Sequence, residues 1–217
     1  MGHLVGFLAG RGRQVRSPCR NHSGATELEI PMFAAILTET PTEELVIADD
    51  VTLRDIAPGD VQVKIAHSGV CHSDLSAMNG TIPLAPPAVL GHEGAGVVTD
   101  IGDGVTHVAP GDHVIIAFSP PCGTCPYCTG RGQPNLCIDG FFAMSANPQF
   151  RRGDTVVGAM TGCGTFAEET IVPGIAAIKI DDDIPLDVAA LVGCGVTTGI
   201  GAVMNTAKVE PGATVAV

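Results

Sequence analysis

Tryptophan is absent from this 217-residue sequence, tyrosine occurs once, and aromatic side chains make up only 4% of it. Charged residues are scarce too, at 16%, and positive charge is scarcest: 11 Lys and Arg stand against 23 Asp and Glu, a net charge of −12. Such a chain is ill suited to nucleic acid or to an anionic membrane surface, since both attract positive charge. No apolar run approaches the ~20 residues of a membrane-spanning helix, so no transmembrane segment is expected. Extensive disorder is excluded as well, because 45% of the residues are hydrophobic and the mean hydropathy is +0.33.

Turn formers are abundant. Gly (28) and Pro (16) make up 44 of the 217 residues. The scarce positive charge is also unevenly spread. Residues 1–31 carry four Arg (Arg11, Arg13, Arg16, Arg20) and two acids (Glu27, Glu29), which leaves seven basic and 21 acidic side chains for residues 32–217. That first stretch shows neither strand nor helix periodicity. It reads as a leader outside the folded domain, from an upstream start or as a targeting peptide, and it lacks the compact apolar stretch of a secretory signal. Met32 then opens Met-Phe-Ala-Ala-Ile-Leu, a strand start.

Eight Cys are present: Cys19, Cys71, Cys122, Cys125, Cys128, Cys137, Cys163 and Cys194. Cys122, Cys125, Cys128 and Cys137 crowd into one Gly/Pro-rich loop as C-x-x-C-x-x-C followed by a fourth Cys. This spacing suits tetrahedral thiolate coordination of Zn²⁺. An iron–sulfur cluster is the rival, but the fourth Cys lacks the ferredoxin spacing and its following Pro, and there is no second such run. Disulfides or free thiols are a third possibility. A zinc tetrathiolate implies a reducing compartment, hence a cytoplasmic location.

Leu45-Val46-Ile47, Val61–Ile65 and Gly96-Val97-Val98 read as short strands, with Pro-Gly-Asp turns at 58–60 and 110–112. Residues 138–155 read as a loop, and 165–172 and 175–180 as strands. A helix is expected from Asp187, a second over 196–208, and a strand near the end of the sequence. Many short strands followed by the first elements of an α/β unit is the coarse result. Outside the cysteine loop, Cys71, His92 and Cys194 form a Cys₂His set. Three protein ligands leave zinc a fourth position, the arrangement of a catalytic site. Taken singly, each residue also has an ordinary reading as a core side chain.

Gly69-Val-Cys-His-Ser-Asp-Leu, Gly91-His-Glu-Gly-Ala-Gly-Val-Val, the cysteine loop 122–137 and Leu191-Val-Gly-Cys-Gly-Val-Thr-Thr-Gly together resemble the zinc-dependent alcohol dehydrogenases of the medium-chain dehydrogenase/reductase superfamily, and most of all the class III and related bacterial members. The resemblance implies a mainly β, GroES-like catalytic domain (α+β) over 32–190, followed by the first elements of an α/β Rossmann domain over 191–217. It implies Cys71, His92 and Cys194 as ligands of a catalytic zinc, and Cys122, Cys125, Cys128 and Cys137 as ligands of a structural zinc. It further implies Glu93 as an acidic neighbour of the catalytic ion, Asp74 as the carboxylate orienting His92, and Ser73 as the hydroxyl that relays the alcohol proton. His72 would contact cofactor phosphate and Thr198 the nicotinamide.

The implied reaction is oxidation of an alcohol to an aldehyde or ketone by hydride transfer to NAD, in a family whose full-length members are homo-oligomers. Three departures stand out. The gap between Cys128 and Cys137 holds eight residues where the family has seven. The relay histidine of many members is replaced by Ser76. The glycine-rich turn that meets the pyrophosphate would lie beyond Val217, so the NAD site is incomplete here and the chain alone should be inactive. Two other classes of function stay open: a non-catalytic zinc-binding fragment, and a small redox or iron–sulfur protein built on the cysteine loop.

Overall fold

The computed structural model describes residues 30–146 and 148–216. Cys19 and most of the expected leader lie outside the described residues. The first strands follow the β-branched runs of the sequence. Strand β1 (Met32–Leu37) pairs antiparallel with β2 (Val46–Leu53). Next come the long strand β3 (Asp60–Gly69), the short helix α1 (His72–Met78) and β4 (Ala88–Val89). Strands β5 (Glu93–Ile101) and β6 (His113–Ile116) precede the cysteine loop, which carries helix α2 (Pro126–Thr129) and helix α3 (Ile138–Ser145). Strands β7 (Phe150–Arg152), β8 (Thr155–Ala159), β9 (Glu169–Pro173) and β10 (Ala177–Lys179) complete the β structure. Helices α4 (Leu186–Ala189) and α5 (Gly195–Gly201) follow, and α5 continues into a π-helical turn at Ala202–Thr206.

Two strand assemblies result. Strands β1, β2, β7, β8 and β4 close into a small barrel, in which β4 and β8 pair in parallel, and β10, β6, β5, β3 and β9 form a five-stranded sheet. Each has its own apolar core. Ile36, Val51, Val89, Phe150 and Val157 fill the barrel, and Val61, Val63, Val98, Val114, Ile116 and Val172 line the sheet. Each such side chain contributes about 1.5–3 kcal/mol on full burial. A third cluster, Leu37, Ala77, Leu90 and Met160, packs α1 against the barrel, and a fourth, Ala95, Ile115, Ala189 and Ala190, holds α4 on the sheet. These two satellite clusters pack α1 beside Leu90, just before β5, and the end of α4 against Ala95 of β5. Among the described residues, no single helix is long and apolar enough to cross a membrane.

The structure corrects three local expectations. Residues 138–155 are not a loop: α3 and β7 lie within them. Helix α3 is anchored by its neighbours, since Cys137 Sγ accepts from the Gly140 N–H and Met144 reaches the sheet core. The helix expected over 196–208 is divided between α5 and the π-helical turn, and ends before Lys208, whose φ is +52°. The strand expected near the end of the sequence is not formed over the described residues 209–216. A strand needs a neighbour for its ladder, and no β pairing is made there.

Candidate metal centres

The cysteine loop folds back on itself. The short helix α2 begins at Pro126, with its fixed φ at the first helical position, and brings Cys128 beside Cys125. The sulfurs of Cys125 and Cys128 lie 3.6 Å apart, those of Cys125 and Cys137 3.8 Å, and those of Cys122 and Cys128 3.9 Å. A disulfide would require about 2.05 Å. Four thiolates around one zinc at the usual ~2.3 Å form a tetrahedron with edges of about 3.8 Å, so the donor set fits a single ion. Thiolates of a multi-iron cluster bind different irons and spread further apart. Within the 128–137 gap, Arg131 lies over the Tyr127 ring, 5.0 Å from its centroid.

Backbone N–H groups converge on these sulfurs. Cys122 Sγ accepts from Thr124 and Cys125, and Cys137 Sγ accepts from Cys122 and Gly140. The Thr124 N–H, then its hydroxyl, then the Cys125 N–H pull the Cys122 thiol down to about 6. Burial, reinforced by the neighbouring sulfurs, pushes Cys128 up to about 12. A cluster that stabilises one thiolate and resists the next is one that a divalent cation resolves, because coordination deprotonates a thiol outright.

The second centre is assembled from three distant segments. Cys71 sits immediately before α1, His92 and Glu93 at the start of β5, and Cys194 between a 3₁₀ turn (Ala190–Gly193) and α5. Their ligand atoms lie within 4.8 Å of one another. His92 is 2% exposed, Glu93 5% and Asp74 2%; groups of this kind are buried only when paired or bound to a metal.

Asp74 organises the centre from below. Its Oδ2 accepts from the Cys71 N–H at 2.9 Å and its Oδ1 from the Gly91 N–H at 3.0 Å. Its Oδ1 is also 3.5 Å from His92 Nδ1, longer than an ordinary hydrogen bond, and this buried nitrogen has no hydrogen-bond partner. The contact at Nδ1 leaves Nε2 for the sulfurs. Phe118 abuts the imidazole edge-on, with ring centroids 5.6 Å apart. Burial alone would lower the His92 pKa, but the Asp74 carboxylate, and then Cys71, raise it overall. Cys71 is lowered in spite of burial, by the Ser73 N–H, the Ser73 hydroxyl and His92. Burial, followed by the negative charge of Cys71 and Glu93, drives Cys194 up to about 12.

Most of the residues expected from the sequence meet here. Ser73 Oγ is 3.6 Å from Cys71 Sγ. His72 is exposed, with Nδ1 3.3 Å from Ser76 Oγ. Thr198 is exposed on α5, one helical turn beyond Cys194, whose carbonyl accepts from its N–H. Sequence reasoning missed Phe118 and Gly69. A Cβ at Gly69 would collide with Glu93 Oε2. The glycine two residues before Cys71 was the visible signal.

The model of the alcohol dehydrogenase GroES-like domain matches residues 57–182, more than half of the chain. The chain belongs to the zinc-dependent alcohol dehydrogenase family. It is 47% identical over 174 residues to an S-(hydroxymethyl)glutathione dehydrogenase of Photobacterium damsela subsp. piscicida, a match covering 75% of this chain and 47% of that protein. The corresponding enzyme of Escherichia coli O1:K1 / APEC is 45% identical over 179 residues, with the same coverage. Among solved structures, an alcohol dehydrogenase zinc-binding domain protein from Burkholderia ambifaria superposes with a TM-score of 0.76 at 31% identity, over 84% of this chain and 50% of that one. Benzyl alcohol dehydrogenase from Acinetobacter calcoaceticus gives 0.70 at 32% identity, over 83% and 49%. The chain spans about half the length of the curated relatives it matches.

Proposed function

We propose that this chain is the zinc-binding catalytic half of a dehydrogenase that oxidises an alcohol to an aldehyde or ketone with NAD. The carrying observation is the convergence of Cys71, His92, Glu93 and Cys194 above a buried Asp74. Cys71, His92 and Cys194 would hold a zinc ion, which would supply Lewis-acid chemistry to a bound hydroxyl, and a nicotinamide would supply the hydride acceptor. The chain's own residues do the rest. Asp74 fixes the backbone at Cys71 and Gly91 and faces His92 Nδ1, the usual support of a ligating imidazole. Ser73, against Cys71 Sγ, takes up the alcohol proton. Ser76 and His72, in contact and near the surface, carry it outward. Phe118 shields one edge of the imidazole from water. Glu93, pressed against Gly69, supplies a negative charge beside the three ligands.

The names of the relatives point to hydroxymethyl-thiol adducts or other primary alcohols as the substrate class. The four-cysteine cluster is a structural zinc site, Thr198 and His72 face the cofactor, and the active assembly is a homo-oligomer that includes the other half of the relatives' length. Elemental analysis of the purified chain should find two zinc and no iron. A primary alcohol should perturb the visible bands of cobalt(II) bound at the Cys₂His centre. NADH formation by the chain alone should be negligible. Iron in place of zinc, or cobalt bands indifferent to alcohol, overturns this reading.

A further inference from the structure

Thr165 belongs to neither the cysteine loop nor the Cys₂His set, yet it stands over the segment that presents His92 and Glu93. It is 1% exposed. Its N–H donates to the Gly91 carbonyl at 3.0 Å, and the N–H of the next residue, Phe166, donates to the Leu90 carbonyl at 3.0 Å. Its hydroxyl meets Ser68 Oγ at 2.7 Å. Ser68 pairs with Gly94 across β3 and β5.

The two glycines that bracket His92-Glu93 record the same contact. A Cβ at Gly91 would stand 2.6 Å from Thr165 Oγ1 and 2.5 Å from the Phe166 ring, at a φ of +86° that already favours glycine. A Cβ at Gly94 would stand 2.5 Å from Thr165 Cγ2. Both glycines are therefore bare because Thr165 occupies the space on either side of the ligand pair. Gly91 is held twice, its N–H by Asp74 and its carbonyl by Thr165.

We propose that Thr165 is a positioning residue of the Cys₂His centre: with Ser68 it fixes the backbone of Gly91–Gly94 so that the His92 imidazole and the Glu93 carboxylate converge on Cys71 and Cys194. The inference rests on the reading of those side chains as a metal site. The hydroxyl pair sets the distance from β3, the methyl group sets the height above Gly94, and the backbone bond sets the angle of Gly91. Supporting groups of this kind typically govern metal affinity by about 10–100-fold.

The test is a zinc titration of the metal-free 217-residue chain against a chromophoric chelator, with cobalt(II) visible spectra in parallel. Wild type should take up two equivalents, and the four-sulfur cluster serves as internal reference. Thr165→Val removes the hydroxyl but keeps the bulk, and should weaken the Cys₂His equivalent about 10–100-fold and shift its cobalt bands, leaving the four-sulfur equivalent in place. Thr165→Ser keeps the hydroxyl and should recover most of that affinity. A merely structural role would lower the unfolding midpoint and leave affinity and bands alone.

Both variants binding the second equivalent within twofold of wild type would overturn the inference. If Thr165→Val fails to fold, Ser68→Ala removes the same hydroxyl bond from β3, and an unchanged second equivalent in that variant is equally fatal. A wild-type chain that takes up only the four-sulfur equivalent overturns the metal reading, and this inference with it.

Discussion

The two candidate metal centres of this chain are built in opposite ways. The four-cysteine cluster draws every donor from residues 122–137, and its sulfurs are steered by N–H groups of the same loop. The Cys₂His centre draws on residues separated by more than a hundred positions, and its geometry is set by the packing of α1, the start of β5 and the segment after α4. In the first, a bound metal would cross-link a single loop. In the second, the folded scaffold comes first and the donors are delivered to it. Removing metal should accordingly unfold one locally and leave the other nearly intact.

The sharpest way to break this contrast is to remove a donor from the local cluster. Cys125→Ser should lose one zinc equivalent and the ordered structure of the loop, while the far-ultraviolet dichroism of the β strands persists; loss of both equivalents would show that the centres are coupled. Gly91→Ala attacks the scaffold instead. It forces a Cβ into Thr165 and Phe166 at a left-handed φ, and should cost about 2 kcal/mol or more by urea unfolding and empty only the Cys₂His centre.

Asp74→Asn is milder. In the metal-free chain the Asp74 carboxylate raises His92 above its ordinary 6.5. The stabilisation is therefore complete below pH 6.5 and disappears as pH rises through the raised value. The variant should bring the NMR titration midpoint of His92 down, and an unmoved midpoint would exclude the contact. The smallest effect belongs to Lys179→Ala. It breaks the exposed 2.6 Å bond to Asp112, which touches neither centre, and should leave both zinc equivalents and the unfolding midpoint unchanged.

The same contrast explains what could be read from the sequence. The cysteine loop was legible because spacing alone brings its donors together. Strands β2, β3 and β5 were legible from their β-branched runs, and β1 from Met32. The Cys₂His centre was visible only as three candidates, since no local pattern shows that residues 71, 92 and 194 meet. Helix α3 was missed because Ile138 and Phe142 are exposed while Met144 is buried, so its composition marks no clear face. Its start depends on the Cys137 sulfur, a capping group unlike the usual Ser, Thr or Asp. Thr165 carried no signal, because what matters is the distant pair Gly91 and Gly94 that leave it room.

The junction at Cys194 sets how force passes through the molecule. Cys71 is tied down by Asp74, and His92 by its neighbours Gly91 and Glu93, the first bonded to Asp74 and Thr165 and the second paired with Gly69, but Cys194 is followed directly by α5, whose Val196 and Ile200 are exposed. Two ligands are thus held by the packed domain, while the third lies at its junction with a surface helix. A load on α5 would reach that ligand through the chain at Gly195 and through the bonds from Thr198 to the Cys194 carbonyl and from Thr197 to the Val192 carbonyl.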